Sequence, residues 1–174
     1  MVQIPSEPSR HRVAVWRQLR RTGAVPISSG VWALPASPVF REGLDRAEEL
    51  CRTGGGTFAV FHATARDESS ADTIRSVFTA ARVDEWSEFI ADCGKFEEEI
   101  AREIRKQKFT FAELEEEEHS LERLRRWFRD LKKRDVLGLP EAVSAEKRLS
   151  ACSTALESFA DQVYQTVHGD GEAR

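Results

Sequence analysis

Strand-like alternation is confined to the first 63 residues of this chain, and that confinement decides its fold class. Beyond residue 66 the apolar residues recur at helical spacing only. Trp86, Phe89, Ile90, Cys93, Phe96, Ile100 and Ile104 make one stripe over residues 84–107. Leu114, Leu121, Leu124, Phe128 and Leu131 make a second, near-heptad stripe. Val143, Leu149, Cys152, Leu156, Phe159, Val163 and Val167 make a third. A shorter helical pattern covers Thr73–Ala81. Helices with one apolar face must bury it against each other, a sheet or a second subunit. Thr110 followed by Glu113 reads as a capping box for the second long helix, and Gly138-Leu139-Pro140 separates it from the third.

The first part switches period repeatedly. Val2 and Ile4 form a short apolar alternation, either a stub or the end of a strand that starts upstream of Met1. Ser9 reads as the N-cap of a helix over Arg10–Thr22, with Val13, Trp16 and Leu19 facing inward and Gly23 as its stop. Ala24–Ile27 and Val31–Leu34 are strand-like runs around a Ser28-Ser29-Gly30 turn. Ser37 and Pro38 open a second helix, which Gly54-Gly55-Gly56 ends. Thr57–Ala63 is the strongest strand signal in the chain. The order β-α-β-β-α-β predicts a split βαβ, ferredoxin-like arrangement. The expected fold class is therefore α+β. A small ferredoxin-like βαββαβ sheet over residues 1–66 is followed by a long-helix bundle over 67–168 and a frayed tail over 169–174, mostly helical overall. Four antiparallel strands are expected to form one sheet, with Trp16, Trp32, Phe58 and Phe61 in its core.

Charge divides the chain in the same way. The net charge is −4, yet residues 1–66 hold nine arginines against five acids, so the remainder is strongly acidic. A basic front joined to an acidic helical part suits a nucleic-acid-facing end, and equally suits the two parts docking on each other. A pI near 5.7 argues against a dedicated nucleic-acid coat protein. No apolar run approaches the roughly 20 residues of a membrane helix. MVQIPSEPSRHR lacks the apolar stretch of a signal peptide. The expectation is a cytoplasmic protein with no membrane partner.

The densest cluster with chemical potential is Arg10, Arg12, Arg17, Arg20 and Arg21, with His11 among them, on or beside one short helix. Arg10, Arg17 and Arg21 share one side at i, i+7 and i+11. Guanidinium clusters bind phosphate or another oxyanion bidentately. The alternative is a solvated basic face paired with the acidic helices. These five arginines are the candidate nucleic-acid or oxyanion-binding residues. Glu116 and His119 make one Glu-x-x-His spacing, but carboxylate-bridged metal bundles need two, and His119 falls opposite the apolar stripe. No metal and no cofactor are expected. His62 alternates with Val60 and Phe58 and reads as a core or edge residue of the last strand. Gly54-Gly55-Gly56 precedes a strand, so it is a turn and not a phosphate cradle. Cys51, Cys93 and Cys152 lie far apart without a CxxC and read as buried thiols. No nucleophile–base pair emerges, so an enzyme is not expected.

Several runs resemble a known family. Ser9-Arg10-His11-Arg12-Val13-Ala14-Val15-Trp16-Arg17-Gln18-Leu19, then Gly23-Ala24, then Gly30-Val31-Trp32-Ala33-Leu34-Pro35 resemble the N-terminal domain of ChrB-type chromate resistance regulators. So do Lys108-Phe109-Thr110-Phe111-Ala112-Glu113-Leu114, Leu121-Glu122-Arg123-Leu124-Arg125-Arg126-Trp127, and Arg134-Asp135 before Gly138. The first 63 residues also look like the ferredoxin-like module of phenylacetate-pathway repressors. The resemblance spans roughly residues 1–167. It implies a bacterial regulator of chromate efflux genes, with DNA as partner and chromate as effector. Full-length members continue into a second, C-terminal domain that these 174 residues are not expected to include, and no helix-turn-helix is recognisable. A separate ChrB C-terminal-like protein, or a homodimer through the long helices, is therefore expected as an alternative partner.

Overall fold

The computed structural model describes residues 1–169; residues 170–174 of the expected tail lie outside the described residues. The element order is β1 (Val2–Gln3), α1 (Ser9–Thr22), β2 (Val25–Ser28), β3 (Val31–Ala33), a 3-10 turn (Pro38–Phe40), α2 (Arg41–Thr53), β4 (Thr57–Phe58), α3 (Glu68–Arg105), α4 (Phe111–Arg134) and α5 (Pro140–Gly169). This is an α+β chain dominated by helix, in the β-α-β-β-α-β order that the sequence predicts. It folds as two compact units. One comprises Met1–Arg82 with Lys133–Leu137, and the other Val83–Lys132 with the chain from Gly138 on.

In the first unit the strands do not make one sheet. β1 pairs with β4 and β2 with β3, both antiparallel, in two separate two-stranded ladders. A split βαβ sheet also needs β1 and β3 side by side. That junction is reduced to one bond, from the Val2 N–H to the Gly30 carbonyl at 2.6 Å. Gly30 sits at φ +70, and a Cβ there would stand 2.5 Å from the Val2 carbonyl oxygen. The single four-stranded sheet is thus corrected to two ladders, because β1 is two residues long and supplies too few rungs.

The same shortness truncates β4. The Ala59 N–H adds one bond beyond the ladder, to the Met1 carbonyl at 2.9 Å. Of the strand-prone Thr57–Ala63 only Thr57–Phe58 is strand. Val60 and Phe61 are left exposed, Phe61 by 73%, so Phe61 is no core residue and His62 is exposed beside it. Trp32 and Phe58 do pack against the core, half-buried.

That core is set by small residues. Val15 and Leu19 of α1 meet Ala47 and Cys51 of α2, all essentially inaccessible. A Cβ at Gly43 would fall 2.3 Å from the Thr22 hydroxyl oxygen, so α1 and α2 approach closely there, with Val15, Leu19 and Thr22 on the buried side of α1. Trp16 accordingly faces solvent, 52% exposed, and Val13 with it. The buried stripe is Val15, Leu19 and Thr22: Leu19 faces inward as expected, while Val15 and Thr22 stand where Val13 and Trp16 were expected. α1 starts without a side-chain cap: Pro8 holds the cap position and Ser9 is already helical.

α3 runs 38 residues without a break, where the sequence pattern predicts two helices. Phe78, Arg82, Trp86 and Phe89 follow one stripe, but a charged residue occupies the second position, and the pattern reads there as a gap. Arg82 is 3% exposed, with its guanidinium 5.0 Å from the Phe78 ring centre. Asp67 caps the helix, accepting from the Ser70 N–H at 2.9 Å and its hydroxyl at 2.6 Å. Those bonds from Ser70 hold the Asp67 carboxyl below its usual range.

In the second unit the three stripes close on one another as expected. Phe89 packs edge-on to Trp127 at 5.3 Å and against Phe128 at 5.7 Å. The α3–α4 connection is clasped by Lys108, whose ammonium lies 3.1 Å from both Glu103 and Glu113. The Thr110 hydroxyl accepts the Glu113 N–H at 3.3 Å, half of the expected capping box. The Glu113 side chain turns to Lys108 instead of closing the other half.

Candidate nucleic-acid interface

All five arginines named from the sequence, Arg10, Arg12, Arg17, Arg20 and Arg21, are exposed on α1. The helix is anchored by Val15 and Leu19 on one side, which turns Arg10, Arg17 and Arg21 outward. At 1.5 Å rise per residue, Arg10 to Arg17 spans about 10 Å along the axis and Arg17 to Arg21 about 6 Å. No acidic side chain among the described residues forms an ion pair with any of the five. Arg20 instead lies 5.8 Å from the centre of the Trp16 ring, a cation–π distance.

The end of α1 is held from below. Gly23, at φ +98, donates to Arg20, and the Ala24 N–H donates to the Leu19 carbonyl at 2.9 Å, a Schellman pattern. Arg134 donates to the Arg21 carbonyl at 3.1 Å. Arg20 and Arg21 also sit in the last turn, where positive charge complements the helix dipole. The arrangement presents a rigid basic rod with an aromatic beside it. It can contact successive phosphates, or hold a small oxyanion between two guanidinium groups.

Glu116, Glu118 and His119 are exposed on α4, and no group of three or more metal-binding side chains occurs among the described residues. The three thiols are buried. Distance in sequence hides a proximity here: the Cys152 thiol donates to the Cys93 carbonyl at 3.5 Å, linking α5 to α3. The Cys152 thiol beside it and burial push the Cys93 thiol up, away from thiolate chemistry. Burial does the same to Cys51.

One feature escapes sequence reading. From Arg123 to Arg134, α4 carries seven basic residues against Asp130 alone. The signal was present, but α4 as a whole cancels it, because its first half is glutamate-rich.

Among the described residues no helix is long and apolar enough to cross a membrane. No curated protein and no solved structure matches the chain. The ferredoxin-like likeness thus rests on element order alone, and the two separate ladders do not complete it. A family model described as "Protein ChrB, N-terminal" matches residues 12–170, nearly the whole length and all of α1 beyond its first turn. The chain belongs to the ChrB N-terminal family, and with it to the regulatory proteins of chromate resistance.

Proposed function

We propose that this chain is the DNA-contacting part of a transcriptional regulator of chromate efflux genes, acting in the cytoplasm without catalysis. Arg10, Arg17 and Arg21 meet phosphates from one side of α1, with Arg12 and Arg20 on its flanks. The observation that carries this reading is an exposed helix with five arginines and no acidic partner among the described residues. Chromate, itself an oxyanion, is the proposed effector, competing for the same guanidinium groups. A separately encoded C-terminal-like protein is the proposed source of the remaining sensing function.

A second reading has its own observation. Val13 and Trp16 are exposed on the same helix, and an apolar pair inside a basic face also suits docking of a partner protein or a second copy. Salt separates the two, because phosphate contacts weaken steeply as salt is added and apolar packing does not. Binding to the DNA upstream of its own operon is measured by fluorescence anisotropy across a salt series, with and without chromate. Wild type is expected to bind at about 50 mM salt and to weaken with a log–log slope of roughly −0.9 per phosphate contacted. The triple variant Arg10→Glu, Arg17→Glu, Arg21→Glu is expected to fold and to lose that binding. A flat wild-type signal at low salt, in both conditions, ends the DNA reading and leaves the docking module.

A further inference from the structure

Arg134 apart, the basic side chains in the second half of α4 take part in none of the interactions described so far. Within the helical unit, Arg125, Arg126, Arg129 and Lys132 are exposed at i, i+1, i+4 and i+7. They stand away from the buried Leu121, Leu124 and Leu131. Arg129 reaches Glu122 at 3.1 Å, and Arg125 donates to the Ser153 hydroxyl of α5 at 3.3 Å. No acid among the described residues forms an ion pair with Arg126 or Lys132.

Three explanations compete for this concentration of charge. The helix dipole favours cations near a C-terminus, but its influence fades within the last turn, and Arg125 and Arg126 lie two turns or more before the end of α4. A second copy packed antiparallel would set the acidic first half of α4 against the basic second half. Exposed ion pairs contribute about 0–1 kcal/mol each, while association costs at least ~4 kcal/mol, and this face has no apolar centre. Charge pairing alone therefore does not hold a dimer here. A polyanion fits better, since each phosphate neutralised releases condensed counterions, a gain that a protein partner with discrete acids does not supply. Arg125 to Lys132 covers about 10 Å of helix axis, and duplex DNA places three phosphates per strand in that length at roughly 3.4 Å each.

We propose that Arg125, Arg126, Arg129 and Lys132 form a second polyphosphate-binding surface, whose occupant is the sugar-phosphate backbone of duplex DNA. The proposal rests on the reading of DNA as this protein's partner, but not on α1 being the contact. The two surfaces belong to different compact units, so each can be disabled separately.

The test uses the full chain with Arg126→Gln, Arg129→Gln and Lys132→Gln together. Glutamine keeps the helix propensity, and Arg125 keeps its bond to Ser153. Circular dichroism first confirms an unchanged helical signal. Anisotropy with the upstream duplex then reads affinity and salt slope beside wild type and the α1 triple variant. We expect affinity at about 50 mM salt to fall roughly 10- to 100-fold and the slope to become less negative by about 2–3, in line with three lost contacts. An unchanged affinity and slope, with wild type binding normally, overturns the second surface and leaves the α1 reading intact. A loss in the α4 variant alone, with the α1 variant unaffected, supports the second surface and removes α1. No wild-type binding to duplex removes both. Competitor arms carry single-stranded RNA and vesicles with an anionic phospholipid headgroup. Preference for either over the duplex, lost in the α4 variant, overturns the assignment of DNA as occupant.

Discussion

Replacing Gly23 by alanine tests the joint on which α1 is mounted. Gly23 holds φ +98 as the last link of the Schellman turn. A Cβ built there falls 2.7 Å from an Arg82 guanidinium nitrogen and 3.2 Å from the Arg134 Cδ. Two costs add. The left-handed conformation costs an L-residue roughly 1–2 kcal/mol, offset by about 0.4–1 kcal/mol from the stiffer unfolded chain. Crowding adds about 1–3 kcal/mol as in overpacked cores. It applies because Arg82 is no loose end: it is 3% exposed and lies over Phe78. The sum is about 1–4.5 kcal/mol, centred on ~3 kcal/mol. Gly55 supplies the control, with φ +70 and nothing within 4 Å of its added Cβ. Gly55→Ala therefore carries the backbone cost alone, about 1 kcal/mol. Urea denaturation followed at 222 nm measures both, with unchanged m-values as the condition for comparison. Equal losses at the two positions would refute the argument that Arg82 and Arg134 brace the end of α1.

Two further predictions use the same assay. Trp16→Ala is expected to cost under about 1 kcal/mol, in the range of surface substitutions, whereas Phe89→Ala, with its ring between Trp127 and Phe128, is expected to cost about 3–5 kcal/mol; a reversed order would place the indole in a core. Glu117 is 5% exposed, and desolvation, helped by the charges of Glu116, Glu103 and Glu113 against the opposing Arg102, raises its carboxyl above the ordinary value of 4.5. The folded state then binds that proton more tightly than the unfolded chain, so this group favours folding at low pH and opposes it as pH rises through the raised value. Glu117→Gln is expected to raise the urea midpoint at pH 7 and to lose that advantage near pH 4; an equal effect at both pH values contradicts the linkage.

How far the residues announced this fold depends on what each pattern had to compete with. The stripes of the helical unit were legible because Trp86, Phe89, Leu121 and Phe159 bury large apolar area at regular spacing, and no local chemistry opposes them. The break expected before Asp84 was not there, because a buried Arg82 stands where the stripe calls for an apolar residue. Propensity and periodicity cannot register a cation stabilised by an aromatic ring. Trp16 failed for the opposite reason. Its hydrophobicity placed it inside, while the side of α1 that meets α2 is the one carrying Val15, Leu19 and Thr22, a choice visible only in three dimensions. Thr57–Ala63 has every local mark of a strand, but a strand needs a partner, and the antiparallel ladder with β1 pairs only Thr57 and Phe58. The five arginines of α1 were legible as a cluster; that they stand outward without an ion-pair partner among the described residues was not, since pairing depends on what the fold brings near.

The residues that carry the family likeness do mechanical tasks in this structure. Lys108, Thr110 and Glu113 clasp the α3–α4 turn. Leu121 and Leu124 are core, and Trp127 is wedged against Phe89. Gly23 ends α1, and Gly30 lets β1 approach the β2–β3 turn. Such positions identify a fold because packing and backbone geometry tolerate few substitutes there, and the same intolerance makes them poor evidence for a ligand. The arginines are under no such constraint: an exposed helix face accepts almost any polar residue at little cost. Concentrating six basic residues besides Arg134 in half of α4, and five on α1, against an overall net charge of −4, thus needs a reason outside the fold. A polyanion supplies one, and charge reversal on α1 with charge removal on α4 asks whether it is the right one without disturbing the packing that defines the family.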